Sequence, residues 1–299
     1  MRKPHRADEA TIGRVHDRRY VALVERFCAA VPSLGVAQLP TGDTTAGHNS
    51  FQIALLAAGA SVDAVSIARP GAPALAVVRP PGHHAEPARG MGFCLFNNAA
   101  LAAQAARAQR GATLIVDFDY HHGNGTQAWV ERAIGDGAPL GFFSTHAYPA
   151  YPGTGAFSES RYAEEGFVID IPLPLDTATG DFVGVWSTLL PPVAGALRPK
   201  TIVISAGFDF LRNDPIAGLP VDVEAVKLLC GLIGQTAAQH DAALALVLEG
   251  GYDLNNLRLS AELLARSFTQ DAGSTHVPAA HTPRDARLRA MTAEVLRWI

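Results

Sequence analysis

The sequence ATLIVDFDYHHGNG, at residues 112–125, is an apolar run that leads into a polar, glycine-rich segment. The same order recurs in ALAVVRPPGHH, PLGFFSTHAYPAYPGTG, TIVISAGFDF and ALALVLEGGYDL, and FVIDIPL is a further apolar run. Short apolar runs that end in turn residues are typical of strands buried on both faces of a sheet. Segments with helical spacing separate these runs. We therefore predict an α/β fold in three layers, with a mainly parallel sheet between helices.

The predicted helices alternate with these strands along most of the chain. Their ranges are 17–30, 50–68, 97–110, 126–134, 181–197, 223–240 and 285–299. No repeat or low-complexity linker interrupts the pattern before about residue 270. The sequence therefore predicts a single domain over residues 1–299, with a C-terminal loop and helix over residues 270–299.

The composition disfavours several classes of protein. The chain has 299 residues, 48% of them apolar, and its 24 basic and 28 acidic side chains give a net charge of −4. This balance provides no basic field for nucleic acid. The three cysteines form neither a disulfide framework nor a CxxC zinc motif. Because the sequence has neither a signal-peptide core nor a long run of large apolar residues, we expect a cytoplasmic protein that binds neither nucleic acid nor membrane.

Acidic and imidazole side chains follow two of the predicted strands, at the edge where parallel α/β sheets bind ligands. Asp119 and His121 occupy alternate positions, which point to the same side of an extended chain, so both can aim at one ion. Asp209 closes another apolar run and is the strongest candidate for a third ligand, although an Asp there is more often a cap or turn residue. Two carboxylates and one imidazole suit a catalytic Zn²⁺ site, with Fe²⁺ or Mn²⁺ as alternatives.

Further polar residues at the same predicted edge are candidates for acid–base chemistry. Asp117 would lie beside the ligands and either orient a histidine or meet a monovalent cation. His83 and His84 follow two stiffening prolines, and histidine is the natural base near neutral pH; a metal-binding or merely solvated pair is the alternative. Tyr252 follows two glycines that allow a tight turn, so its hydroxyl could reach an oxyanion; a core tyrosine is the alternative.

Six motifs in a fixed order carry a resemblance to a known family. RPPGHHAE, GFCLFNNAA, VDFDYHHGNGTQ, YPGTG, SAGFD and EGGYDL resemble the histone deacetylase superfamily, in particular its class II and bacterial members, including acetylpolyamine amidohydrolases. The resemblance runs from about residue 10 to about residue 264. It implies an arginase/deacetylase-type fold, with an eight-stranded parallel sheet between helical layers. It also implies a Zn²⁺ ion held by Asp119, His121 and Asp209.

The resemblance also implies roles for the residues around the metal. His84 would be the general base and later the proton donor, oriented by Asn124 where class I enzymes carry an Asp. His83 would pair with Asp117 and act as an electrostatic partner. Tyr252 matches the tyrosine that stabilises the oxyanion in active members of the superfamily.

The substrate tunnel and the cation sites follow from the same resemblance. Phe93 and Tyr151 match the aromatic pair that lines the acyl-lysine tunnel, where the second residue is more usually Phe. Gly92 would approach the substrate amide through its carbonyl, and Asp43 matches a rim aspartate that contacts the substrate backbone. A structural K⁺ site is implied, built partly from Asp117, Asp119, His121 and Ser144.

The chain departs from the family pattern at its N-terminus. Members of the superfamily usually carry several dozen residues before the counterpart of Ala10, including a first strand and a substrate-side loop. We expect that an upstream segment, if the coding DNA contains one, would stabilise the protein.

Together these observations predict metal-dependent hydrolysis of the acetyl amide of an acetylated amine. The expected substrates are acetyl-lysine proteins or small molecules such as acetylpolyamines, and the oligomeric state stays open. An arginase-like dinuclear ureohydrolase is one alternative, but it needs a second set of carboxylate ligands. A catalytically silent binder of acylated amines is the other.

Overall fold

The computed structural model describes residues 2–269 and 282–299. The helices are α1 (Glu9–Ile12), α2 (Arg18–Ala30), α3 (Ser50–Ile67), α4 (Asn98–Arg110), α5 (Asn124–Ala133), α6 (Thr179–Leu197), α7 (Glu224–Gln239), α8 (Leu254–Thr269) and α9 (Ala286–Trp298). The strands are β1 (Val36–Gln38), β2 (Thr45–Gly47), β3 (Ala74–Ala76), β4 (Thr113–Asp117), β5 (Leu140–Ala147), β6 (Arg161–Ala163), β7 (Gly166–Leu173), β8 (Thr201–Ala206) and β9 (Ala243–Leu248).

Seven of these strands form one sheet in the order β3-β9-β8-β4-β5-β7-β6, and β1 pairs with β2 in a separate hairpin. All neighbours in the large sheet are parallel except β6 and β7. The expected α/β architecture with a mainly parallel sheet is therefore confirmed. Its carboxyl edge gathers the segments that follow β3, β4, β8 and β9.

The expectation of eight parallel strands is wrong in two respects. Over residues 2–269 and 282–299 the sheet has seven strands, and β6 runs antiparallel to β7. Only Glu164 and Glu165 separate these two strands. A two-residue connection forms a hairpin, whereas a parallel crossover needs a dozen residues or more.

Helices cover both faces of the sheet because alternate side chains of each strand point to opposite sides. In β4, Leu114 and Val116 pack into the core formed with α6 and α7. Ile115 packs into the opposite core, formed with α3 and α4. Both sides of the central strand are thus buried, which accounts for its continuous apolar sequence.

The predicted helices agree with the observed ones to within about two residues at each end. The sequence analysis did not predict α1, α8, or the three-residue strands β1, β2 and β6. Most of the loop expected over residues 270–284 lies outside the described residues.

One helix within residues 2–269 and 282–299, α3, is long and apolar enough to cross a membrane by length and composition. Half of its 18-residue window is buried in the fold, where it packs against α4 and β3. Because a helix in a protein core passes the same test, this is weak evidence for a membrane span.

Candidate active site

The segments at the carboxyl edge of the sheet surround a cavity of about 400 Å³. It contains most of the residues that the sequence analysis selected, together with Pro81, Ile216 and Gly250, which it had not selected. The lining residues are Asp43, Pro81, His83, His84, Gly92, Phe93, Asp119, His121, Tyr151, Ile216, Gly250 and Tyr252.

Asp119 and His121 line this cavity and come together with Asp209, which lies beside them; Asp209, Asp117 and Asn124 do not line the cavity themselves. One ligand atom from each residue lies within 4.8 Å of the others. His121 Nδ1 is 3.2 Å from Asp119 Oδ1 and 3.0 Å from Asp209 Oδ2. Asp209 Oδ2 is buried, and the His121 imidazole is the protein group that faces it. A carboxylate oxygen in this position fits a bound cation, and the donor set suits a divalent metal ion.

The electrostatics of the three groups depend on their burial and mutual contact. Burial and the nearby Asp119 raise the pKa of Asp209 to about 6. Burial would lower the pKa of His121. Hydrogen bonds to the Asp119 and Asp209 carboxylates, and their negative charge, outweigh the effect of burial and raise the pKa to about 9. The imidazole thus carries a proton between two acids, and a divalent ion bound there would compete with that proton.

The strand-end geometry differs from the expected alternation along an extended strand. Strand β4 ends at Asp117, so Asp119 and His121 lie beyond it. The Asp117 side chain accepts a hydrogen bond from Asp119 N at 3.0 Å, and the Asp119 side chain accepts one from His121 N at 2.9 Å. Such contacts to the amide two residues ahead turn the chain away from the strand. The prediction of an extended conformation was wrong here, although Asp119 and His121 still face one point.

Two glycines make room for the carboxylates. A Cβ atom at Gly207 would lie 1.9 Å from Asp119 Oδ2, and one at Gly250 would lie 2.5 Å from Asp209 Oδ2 and 2.7 Å from Asp119 Oδ2. The Gly250 N–H also donates to Asp119 Oδ2 at 2.8 Å. The motifs SAGFD and EGGYDL therefore contain glycine because backbone approaches the acidic groups closely.

The two adjacent histidines have different partners. His83 Nδ1 is 3.1 Å from Asp117 Oδ2, and His84 Nδ1 is 2.8 Å from Asn124 Oδ1. Burial opposes charge on His83, but Asp119 and Asp117 raise its pKa well above the ordinary value. Burial and the neighbouring His83 lower the pKa of His84 well below the ordinary value. The environments thus separate the pair into a cationic and a neutral imidazole, as expected of an acid–base site.

Tyr252 lines the same cavity as the two histidines and is fixed through its backbone. Its N–H donates to Asp214 Oδ2 at 2.7 Å, and Asp214 Oδ1 accepts from Ile216 N at 3.0 Å. Burial and the charges of Asp119 and Asp209 raise the pKa of the phenol above its ordinary value. The hydroxyl therefore keeps its proton and can donate a hydrogen bond.

The mouth of the cavity is formed by two aromatic side chains. The Phe93 ring contacts Tyr252, with ring centroids 6.3 Å apart, and Tyr151 stands perpendicular to His84 at 5.1 Å. Asp43 links the two sides, since it accepts hydrogen bonds from Gly92 N and from the Tyr151 hydroxyl, each at 2.8 Å. Both Asp43 oxygens are therefore engaged within the protein.

Two buried acids contribute to the site and were not selected from the sequence. Asp214 positions Tyr252, as described above. Glu249 Oε2 accepts hydrogen bonds from Gly82 N at 2.6 Å and His83 N at 3.1 Å, so it holds the histidine loop against the end of β9. Glu249 precedes the glycines of EGGYDL. A charged residue at the end of an apolar run is the sequence feature that could have identified it as part of the site.

Ser144 belongs to the cation site implied by the resemblance. It lies beside Asp117 in the register of β4 and β5. Its hydroxyl is 2.9 Å from His146 Nδ1. The K⁺ site itself stays a prediction.

The sequence matches the family described as the histone deacetylase domain over residues 1–268. It is 37% identical over 271 residues to histone deacetylase 10, chloroplastic, of Oryza sativa subsp. japonica, covering 86% of this chain and 60% of that protein. The structure resembles that of the HDA15 HD domain, with a TM-score of 0.79 and 28% identity over 99% of this chain and 80% of that one. It also resembles an acetylpolyamine aminohydrolase from Burkholderia pseudomallei, with a TM-score of 0.76 and 29% identity over 89% of this chain and 84% of that one.

The three-layer fold and its carboxyl-edge cavity define an arginase/deacetylase-type protein. The chain belongs to the histone deacetylase family, a family of hydrolytic deacetylases. The resemblance inferred from the six sequence motifs is therefore confirmed. The chain spans about 60% of the length of the rice relative.

Proposed function

We propose that this protein hydrolyses the acetyl amide of acetylated amines at a divalent metal site formed by Asp119, His121 and Asp209. The observation that carries the proposal is the convergence in one cavity of a metal-binding group, a neutral histidine and a protonated tyrosine. The reaction consumes one water molecule and gives acetate and a free amine.

The metal is expected to be Zn²⁺, with Fe²⁺ or Mn²⁺ as alternatives, since two oxygens and one nitrogen suit all three ions. An ion held there supplies Lewis acidity toward the acetyl carbonyl and the attacking water. The backbone amides of Gly250 and Tyr120 fix the two acidic ligands through hydrogen bonds of 2.8 and 2.9 Å. The protein thus sets the geometry of the ligands before substrate binds.

The histidines and the tyrosine move and stabilise charge. His84 is neutral, so it takes the proton from water as the water attacks, and it returns a proton to the leaving amine. His83 carries positive charge beside Asp117 and favours the negative charge that develops nearby. The Tyr252 hydroxyl donates a hydrogen bond to the carbonyl oxygen as that atom becomes an oxyanion.

The cavity suits an acylated amine with an aliphatic stem. Pro81, Phe93, Tyr151 and Ile216 provide apolar or aromatic walls, and the polar groups lie at the bottom. An acetyl-lysine side chain or an acetylpolyamine meets both requirements, and one structural relative is named an acetylpolyamine aminohydrolase. The cytoplasmic location and the single domain over residues 1–299 stay predictions, and the rice relative is named chloroplastic.

A hydrolysis panel with purified protein of measured metal content tests the proposal. We expect acetate release from acetyl-lysine peptides, from acetylpolyamines, or from both, and its loss on chelation and in Asp209→Ala. The variant Asp222→Asn removes an acidic group from an exposed ion pair with Arg212 and serves as the control. Binding of these compounds without acetate release at any metal loading would reject hydrolysis and favour a silent binder.

A further inference from the structure

A second cluster of histidine and aspartate side chains lies outside the lining of the substrate cavity. His122 follows β4, His146 lies in β5, and Asp170 lies in β7. Their exposed fractions are 1%, 0% and 0%, respectively. One nitrogen of each imidazole and one carboxylate oxygen lie within 4.8 Å of one another. None of the three side chains lines the substrate cavity or belongs to the proposed catalytic metal site.

The Asp170 carboxylate lacks donors for its charge. Neither of its buried oxygens accepts a hydrogen bond, and the nearest imidazole nitrogen is His122 Nε2, 3.2 Å from Oδ1. An ionised carboxylate without donors in a protein core is unfavourable, and a bound cation removes that penalty.

The two imidazoles are arranged so that each has one nitrogen fixed by a neighbour. His122 Nδ1 is 2.8 Å from the Thr154 hydroxyl, and His146 Nε2 is 2.8 Å from the Gly155 carbonyl oxygen. Histidines that bind metals usually have their second nitrogen held by such a group. His122 Nε2 then faces Asp170, and His146 Nδ1 faces the Ser144 hydroxyl at 2.9 Å.

The loop that carries the motif YPGTG closes over the rings. A Cβ atom at Gly155 would lie 2.3 Å from His146 Nε2 and 2.6 Å from His122 Cγ. Glycine is therefore required for the backbone to pack directly on both imidazoles. The close packing excludes solvent, as in a closed structural site rather than an open catalytic one.

We propose that His122, His146 and Asp170 bind a second divalent transition-metal ion. Two imidazoles with a carboxylate oxygen form a ligand set of the kind that binds Zn²⁺ and Co²⁺. The ion would join β5, β7 and the segment that also carries His121. Its role is structural, because the three side chains lie outside the substrate cavity.

Counting bound Co²⁺ in full-length protein tests this site. Chelator-treated protein is reloaded with Co²⁺, freed of excess ion and analysed for metal. We expect two ions per chain in the parent, one in Asp170→Asn, and one in the double variant Asp119→Asn/Asp209→Asn. The control Asp222→Asn removes the same charge from a surface ion pair and should keep two.

The stoichiometry separates this site from the catalytic one, because hydrolysis is not the readout. If the parent binds one ion and Asp170→Asn also binds one, the cluster is a buried His–Asp ion pair and the proposal is wrong. If Asp170→Asn fails to fold, the double variant decides, since it retains all three proposed ligands. A folded double variant that binds no Co²⁺ overturns the second site.

Discussion

At the scale of single residues, Tyr252 distinguishes a deacetylase from a binder of acylated amines. Its hydroxyl is protonated in the cavity, and the charge it would meet exists only after water attacks the carbonyl. We expect Tyr252→Phe to lower kcat by about 10²–10³-fold, the typical effect of removing one oxyanion donor. Steady-state kinetics on the best substrate of the panel, with metal analysis of each preparation, measure this effect.

The control for this substitution is Tyr162→Phe, which removes the hydroxyl of an exposed tyrosine on β6. We expect parental kcat and metal content from it. If Tyr252→Phe also hydrolyses substrate at the parental rate, its hydroxyl has no part in the reaction and Tyr252 is only a wall of the cavity.

The two histidines differ in charge, so their substitutions should differ in effect. His84 is the neutral member of the pair and is held by Asn124, whereas His83 is cationic beside Asp117. We expect His84→Ala to lower kcat by about 10²–10⁴-fold, as loss of a general base does, and His83→Ala to have a smaller effect. Comparison of the kcat–pH profiles checks the assignment, and a near-parental profile in His84→Ala would show that another group accepts the proton.

At the scale of strands and loops, the site depends on how closely the segment after β9 approaches the one after β4. A side chain at Gly250 would meet the carboxylates of Asp209 and Asp119, and it would displace the amide that holds Asp119. We expect Gly250→Ala to weaken metal binding roughly 10–100-fold, as changes to groups that hold metal ligands do. Metal titration of the chelator-treated variant measures the change.

Gly180 provides the matched control, because a Cβ atom there meets nothing within 4 Å. It lies in the first turn of α6, away from the cavity, so Gly180→Ala should bind metal like the parent. Equal metal affinity in the two alanine variants would mean that the approach of Gly250 to the ligands does not control the site.

The elements that the sequence predicted well are those with long periodic patterns. Strands such as β4 and β8, and helices such as α4 and α7, show continuous apolar runs or helical spacing over many residues. Strands β1, β2 and β6 have three residues each, too few for alternation to be recognised. Helix α8 has apolar residues at helical spacing, including Leu257, Leu264 and Phe268, so its signal was present and was missed.

The site could be predicted only as far as its local motifs reach. The spacing of Asp119 and His121, and the acid at Asp209, indicated that they could share one ion. The turn after β4 could not be predicted from alternation, because hydrogen bonds to the Asp117 and Asp119 carboxylates override the extended conformation. Glu249 was missed because its partners, Gly82 and His83, lie more than 160 residues away in the chain.

At the scale of the whole molecule, Glu249 ties the end of β9 to the histidine loop that follows β3. Burial is the largest effect on this carboxyl and raises its pKa from 4.5 to about 7. The folded state therefore binds this proton more tightly than the unfolded state does. The resulting stabilisation is complete below about pH 4.5 and is lost as the pH rises to about 7. At about 1.36 kcal/mol per pKa unit, this contribution to the free energy of unfolding is roughly 3 kcal/mol.

We expect Glu249→Gln to remove this part of the pH dependence, because an amide of nearly the same shape does not ionise there. Urea unfolding of parent and variant at several values between about pH 4.5 and about pH 8 measures the difference in free energy of unfolding. That difference should shift in favour of the variant as the pH rises. The control Glu262→Gln changes an exposed ion pair with Arg258, and its free energy of unfolding should follow the same pH dependence as that of the parent. A constant difference between Glu249→Gln and the parent over this range would mean that the buried carboxyl keeps one protonation state throughout. Glu249 would then hold the histidine loop through its hydrogen bonds alone, with no contribution to the pH dependence of folding.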